Sequence, residues 1–175
     1  MPYCPSCGAE VGETDNFCRR CGARLKELEY PPGTPEAAVK SVIIGRIEGI
    51  KRRDPEAISN LVDRERYTKF DDWPPYELQG PEALEREAEA LRVLKEYTYE
   101  TMNWKINILG DAALAAFTIR YRGTIRDRDF DLRSRVTAVL AKSGDVWRIV
   151  HEHWSRSPEM QGPRGETLGR RRFKW

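Results

Sequence analysis

Four cysteines, Cys4, Cys7, Cys18 and Cys21, all fall within the first 21 residues of a 175-residue chain. They form two repeats, Cys4-Pro5-Ser6-Cys7-Gly8 and Cys18-Arg19-Arg20-Cys21-Gly22, separated by ten residues between Cys7 and Cys18. Two residues between thiols let one tight turn aim both sulfurs at a point, and four thiolates complete the tetrahedral shell that zinc prefers. Glycine after the second cysteine of each pair permits a positive φ, so the turn closes with its amides toward the sulfurs. Two disulfides, or a thioredoxin-type redox pair, are the alternatives. Disulfides belong to oxidising compartments, and the Met-Pro-Tyr-Cys start has no basic segment followed by an apolar one. A redox pair needs a strand-to-helix setting with its own core, which about 25 residues cannot build. The spacing therefore predicts a structural zinc ion whose four positions are all filled by protein, leaving none for a substrate.

A second group of chemistry-bearing residues closes the chain: Arg170, Arg171, Arg172, Phe173, Lys174 and Trp175. Basic residues interleaved with aromatics suit phosphate contact and base stacking, so nucleic acid, or an acidic protein surface, is one partner this tail predicts. A solvated terminus is the plainer reading. Arg19, Arg20 and Arg24 would extend the same basic surface. The formal net charge of +2 hides this gradient, because residues 156–175 hold six Arg or Lys against two Glu. Charged residues make up 33% of the chain, with few Asn and Gln, a balance found in heat-adapted prokaryotic proteins. No stretch approaches the roughly 20 apolar residues that cross a bilayer, which predicts a cytoplasmic protein with no membrane contact.

The elements that must position any further site follow from periodicity. Residues 1–25 read as the metal module and 26–35, rich in proline, as a linker. Thr34 can cap a helix with Pro35 in its first turn, and Val39, Val42, Ile43, Ile47 and Ile50 continue it at helical spacing to about Arg52. Asp54-Pro55 starts a shorter helix and Gly80-Pro81 a third, with Leu84, Ala88, Leu91 and Leu94 on one face. After Tyr97 the period becomes two, predicting strands near 99–109, 112–126, 129–142 and 146–156. Helices followed by an antiparallel meander indicate an α+β domain over residues 36–157, three helices packed on a curved antiparallel sheet. Residues 158–175 form the basic tail.

With Asp127-Arg128 as the central hairpin turn, Ile119, Phe117 and Ala115 face Val136, Ala138 and Leu140. Arg120 then faces Arg135, and Arg122 faces Arg133. Like charges directly opposite are destabilising, so an anion must sit between them. It is either a helix carboxylate such as Glu85 or Glu87, or a bound ligand. His151 and His153 share one face of the last strand, beside Arg135 if the preceding turn holds three residues. Without a third ligand the two histidines predict no metal site.

Tyr3 to Leu25 resembles the rubredoxin-like zinc ribbons that head many prokaryotic proteins. Residues 36–157 resemble the SnoaL-like group of the nuclear-transport-factor-two superfamily, which implies a cone-shaped α+β fold with a pocket between helices and sheet. The resemblance is carried by Arg53-Asp54-Pro55-Glu56-Ala57, by Gly80-Pro81-Glu82-Ala83-Leu84, by Arg135-Val136-Thr137, and by the segment from Trp147 through His151-Glu152-His153 to Ser155. The meander is also similar to the association domain of calmodulin-dependent protein kinases. This likeness implies that Arg120 and Arg135 line a pocket and bind a carboxylate, and that the sheet forms a homodimer or larger assembly. His151, His153 and Tyr67 join the expected pocket, and the segment from Asp71 to Tyr76 reads as a loop across its mouth anchored by Trp73. Tyr67, Asp71, Asp72 and His153 are the acids and bases within reach, but none stands in a pattern that demands catalysis, so no catalytic residue is assigned. The expected role is a non-enzymatic, zinc-binding protein with an oligomerising, ligand-binding cone. The alternatives are a SnoaL-like isomerase, cyclase or hydrolase, and a nucleic-acid or ribosome-associated protein.

Overall fold

The computed structural model describes residues 3–4, 7–13, 15, 17–22, 25 and 29–157. The Thr34 hydroxyl accepts from the Ala37 amide and opens α1 (Pro35–Arg52), satisfying one of the donors a helix start leaves bare. The helix closes at Arg53, whose φ of 58° turns its amide back onto the carbonyls of Gly49 and Ile50. Asp54 caps α2 (Pro55–Asn60) through the Ala57 amide. The two helices touch at Gly49, where a Cβ would lie 2.7 Å from Ile58 Cγ1, so only glycine lets them meet this closely.

Two short strands, β1 (Thr68–Phe70) and β2 (Leu78–Gln79), precede α3 (Ala83–Val93). Then come β3 (Leu94–Leu109), β4 (Ala112–Ile125), β5 (Arg128–Ser143) and β6 (Val146–Arg156). They form one sheet in the order β2-β1-β6-β5-β4-β3, with β1 parallel to β6 and every other pair antiparallel. This is the expected α+β architecture, with β1 and β2 added; strands of three and two residues carry no period to read. β3 also begins earlier than its alternation indicates, running straight on from α3. It is bent by a register shift between Met102 and Lys105, with Asn103 at φ 59°. Gly123 pairs with Tyr97 next to a second register shift, between Leu94 and Glu96, and a Cβ there would come within 2.1 Å of the Glu96 carbonyl oxygen.

The central hairpin corrects the expected register by two residues. Its turn is Arg126-Asp127, both at positive φ, so Ile119 pairs with Ser134, Thr118 with Arg135, Arg120 with Arg133 and Arg122 with Asp131. The faces survive this slide, because a shift of two preserves alternation. The last hairpin turns on two residues, Gly144-Asp145. Val150 then bulges out of β6, since Leu140 pairs with Ile149 but Val139 with His151. The extra residue reverses the alternation. Trp147 and Ile149 point inward before it, Glu152 and Trp154 after it.

The inner face of β4 and β5, with Ala115, Phe117, Ile119, Val136, Ala138 and Leu140, packs under α1. Trp104 stacks on Phe117 with ring centroids 4.1 Å apart. Val39, Ile43 and Ile47 of α1 are at most 1% exposed, each such side chain stabilising by about 1.5–3 kcal/mol through burial. The cysteine segment has its own small cluster, Cys4, Val11 and Cys18 with Cys7, Ala9 and Leu25 against them. Among the described residues no helix is long and apolar enough to cross a membrane.

Candidate functional site

The four sulfurs all lie within 4.8 Å of one another and no cysteine is in a disulfide. Cys4 and Cys21 Sγ are 3.7 Å apart, and Cys7 and Cys18 Sγ 3.6 Å. A tetrahedral zinc with bonds of about 2.3 Å spaces its sulfurs about 3.8 Å apart, so the cluster has the size zinc requires. Gly8 and Gly22 adopt φ of 69° and 73°, and their amides donate to the Cys4 and Cys18 carbonyls, closing the two matching turns. A backbone hydrogen bond from Cys21 leads the effects that lower the Cys18 thiol to about 6, favouring the thiolate a metal needs.

The cone holds a cavity of about 270 Å³ between α3 and the sheet. Its upper wall is apolar, from Ala83, Ala90 and Leu91 of α3 with Ile50 of α1. Rings of Trp73, Tyr97, Tyr121, Phe130 and Trp154 form the sides. Lys69, Asp71, Asp72, Gln79, Arg86 and Glu87 supply its polar groups.

Beneath these lies a buried ion network. Arg46, on α1 and 1% exposed, donates from Nε to Glu152 Oε2 at 2.6 Å and from Nη1 and Nη2 to the two Glu87 oxygens at 3.2 and 3.0 Å. Tyr67 OH accepts from Arg46 Nη2 at 3.0 Å and donates to Glu152 Oε2 at 2.6 Å. Burial opposes the charge on Arg46, but the Glu152 and Glu87 carboxylates outweigh it and hold the guanidinium charged. Burial likewise opposes ionisation of Glu152, yet Arg46 and Lys69 pull its carboxyl below the ordinary range. Lys69 Nζ lies 2.7 Å from Asp71 Oδ2, and the Glu87 and Asp71 charges override burial to keep it protonated.

Asp72 differs from its neighbours. Its Oδ2 accepts from Tyr121 OH at 2.7 Å and from the Ser134 hydroxyl, both neutral donors, and it is 4% exposed. Burial pushes its carboxyl upward against those hydrogen bonds, and the nearby Asp71 charge adds to the rise. Trp73 Nε1 donates to Tyr121 OH at 3.1 Å, joining the loop from Asp71 to this cluster.

The structure places the other expected site residues as follows. Trp73 lines the cavity, and Tyr67 sits beneath it in the ion network. Arg120 and Arg135 do not line it: both lie on the exposed outer face of the sheet, where Arg120 donates to Asp131 from Nε at 2.9 Å and Nη2 at 2.7 Å. The expected Arg120–Arg135 and Arg122–Arg133 pairs do not form; Asp131, a strand carboxylate, bridges Arg120 and Arg122, and Glu87 pairs with Arg46. His151 and His153 share the face of Arg135, but that face is the outer one, because the Val150 bulge turns Glu152 inward in their place. His151 Nδ1 is hydrogen-bonded to Thr68 Oγ1 at 2.8 Å, and His153 packs against the Phe70 ring. Arg170, Arg171, Arg172, Phe173, Lys174 and Trp175 lie outside the described residues, as does Arg24. Periodicity missed Arg46, Lys69 and Glu152. The signal for Arg46 was present, since it follows Val39, Val42 and Ile43 at i+7, i+4 and i+3 on the apolar face of α1.

Comparison with known proteins agrees with this architecture. Residues 3–25 match the zinc-ribbon domain family and residues 39–159 the SnoaL-like domain family. No curated protein matches. Among solved structures, a proposed dehydratase of the nuclear transport factor 2-like family from Streptomyces avermitilis aligns with a TM-score of 0.65 at 18% identity, over 73% of this chain and 99% of its own. The calcium/calmodulin-dependent protein kinase II hub of S. rosetta aligns at 0.61 and 19% identity, over 73% of this chain and 100% of its own. A cystatin-like protein from Caulobacter vibrioides aligns at 0.61 and 15%, over 70% and 89%. With a family match covering most of its length and a fold shared with these structures, the chain belongs to the SnoaL-like domain family and carries a zinc-ribbon domain ahead of that fold.

Proposed function

We propose that this chain is a ligand-binding protein made of a zinc-held ribbon (1–25), a linker (26–35), a cone domain (36–157) and a basic tail (158–175). The cone binds a small, largely apolar molecule. The observation that carries this is the cavity itself, apolar and aromatic on its walls with Asp72 and Lys69 exposing polar groups to it. At about 270 Å³ it falls just below the range of about 300–1,000 Å³ usual for drug-sized ligands, so the occupant is small. Titration of the labelled protein with small aromatic fragments, followed by the indole N–H signals of Trp73 and Trp154, tests this. Saturable shifts that vanish when Leu91→Trp fills the cavity support the reading. Shifts indifferent to that substitution, or none at all, contradict it.

In the ribbon, Cys4, Cys7, Cys18 and Cys21 hold one zinc ion, whose role is to fix the fold of a segment too small to bury a core. Four thiolates suit a reducing, cytoplasmic setting. X-ray absorption should find one zinc per chain in an all-sulfur shell, and Cys18→Ser should lose it. Assembly into a homodimer or larger homo-oligomer is supported by the likeness to a kinase hub, and sedimentation of the intact chain measures it directly.

One observation favours a second reading, proton-transfer catalysis. A carboxyl raised by burial, hydrogen-bonded to Tyr121 at a cavity wall, is a candidate general acid. Dehydration of small β-hydroxy carbonyl compounds, read by the absorbance of the conjugated product, tests it. Turnover that disappears in Asp72→Asn supports Asp72 as the acid; undiminished turnover excludes it.

A further inference from the structure

The charges around the cavity are unevenly paired. Arg46, Lys69 and Arg86 are the cations there, whereas Glu87, Glu152, Asp71 and Asp72 all turn carboxylates toward the same region. Arg46 is held by Glu152 and Glu87, and Lys69 by Asp71. Asp72 has no ion pair among the described residues; its carboxyl is hydrogen-bonded with the hydroxyls of Tyr121 and Ser134 and with the Asp71 carboxyl. Arg86 and Arg156 are engaged elsewhere: Arg86 Nη1 donates to Gln79 Oε1 at 3.0 Å, the Arg156 Nε donates to the Asp72 carbonyl oxygen at 3.0 Å, and the Arg156 guanidinium lies 5.6 Å from the Trp73 ring centroid. A buried carboxylate without a counter-charge is costly, and a proton or a bound cation relieves it.

The walls beside Asp72 are those that stabilise positive charge. Tyr121 has Tyr97, Phe130 and Trp154 around it at centroid distances of 5.9, 5.8 and 6.2 Å, and Trp73 meets Phe130 edge-on at 5.5 Å. The negative faces of such rings attract ammonium groups, most strongly where water is excluded. We propose that the cavity takes a small organic cation, an apolar amine or quaternary ammonium, whose positive centre sits between the Asp72 carboxylate and this aromatic wall. The inference rests on the reading of the cavity as a ligand site and adds the charge of the ligand to it. Arg86, Arg126 and Arg128 ring a groove that adjoins the mouth and would draw an anion instead, so the test must include one.

Three probes of similar size separate the possibilities: benzyltrimethylammonium, its neutral isostere neopentylbenzene, and phenylacetate. Each is titrated into the full chain while the Trp73 and Trp154 indole signals are followed. The cation should bind at least about tenfold more tightly than either of the others, the margin expected of an aromatic wall reinforced by a carboxylate. In Asp72→Asn, whose amide oxygen still accepts from Tyr121 and Ser134, that margin should vanish while the neutral probe binds as before. Equal affinity for the cation and its isostere, or preference for phenylacetate, overturns the cationic ligand but leaves the cavity a binding site. Failure of all three probes overturns both.

Discussion

The two faces of the sheet use the same residue types to opposite ends. On the outer face Asp131 sits between Arg120 and Arg122, at 2.7 and 2.9 Å, with all three side chains about half exposed. On the inner side Arg46 sits between Glu152 and Glu87 at similar distances, with Arg46 and Glu152 each 1% exposed. Water screens the first group, so its geometry adds little to stability. The second has left water, and each member depends on the others for its charge to be tolerated. Similar contact distances therefore describe a surface decoration in one place and the floor of a site in the other.

Substitutions that break one face and spare the other sharpen this contrast. Glu152→Ala leaves Arg46 with one carboxylate and should cost about 3–5 kcal/mol in urea denaturation, the usual penalty for unpairing a buried charge. Tyr67→Phe removes a hydroxyl that serves Arg46 and Glu152 together and should cost about 1–3 kcal/mol by the same measurement. Acid should dissect the inner side further. Glu152 is held below its ordinary 4.5, so the stability it contributes above that pH is lost as pH falls through its depressed folded value. Asp72 is raised above 3.8, so its contribution has the opposite sign: present in full below that pH and lost as pH rises through its raised folded value. Wild type should accordingly gain on Asp72→Asn as pH falls from neutrality toward 4, in parallel thermal melts. Asp131→Asn, on the outer face, should leave the denaturation midpoint unchanged at neutral pH.

The sequence made one face of this comparison legible and hid the other. Alternation in β4 and β5 identified Phe117, Ile119 and Val136 on one face and the arginines on the other, and it survived a hairpin turn misplaced by one residue because the resulting slide preserved parity. The inner charges escaped for three physical reasons. A strict period of two carried from Trp147 and Ile149 puts His151 and His153 inside, and only the Val150 bulge, invisible without the partner strand, puts Glu152 there. Lys69 belongs to a three-residue strand whose place is set by β6, a tertiary contact with no local signature. Arg46 lay in plain view on the apolar stripe of α1, but a lone arginine among isoleucines reads as a boundary residue until its carboxylates are found. The cysteine motif needed no such context, because Cys-x-x-Cys-Gly encodes its geometry within five residues.

The direct test is a carbon-13 titration of the aspartate side chains, comparing Asp72 with Asp131 in one experiment. The outer pairing holds Asp131 down at about 2, chiefly through the Arg120 hydrogen bonds, while burial lifts Asp72 above 3.8. Asp72 titrating well above Asp131 is the predicted result, whereas coincident titrations, or Asp72 as the stronger acid, would contradict the division between the two faces and the cavity chemistry built on it.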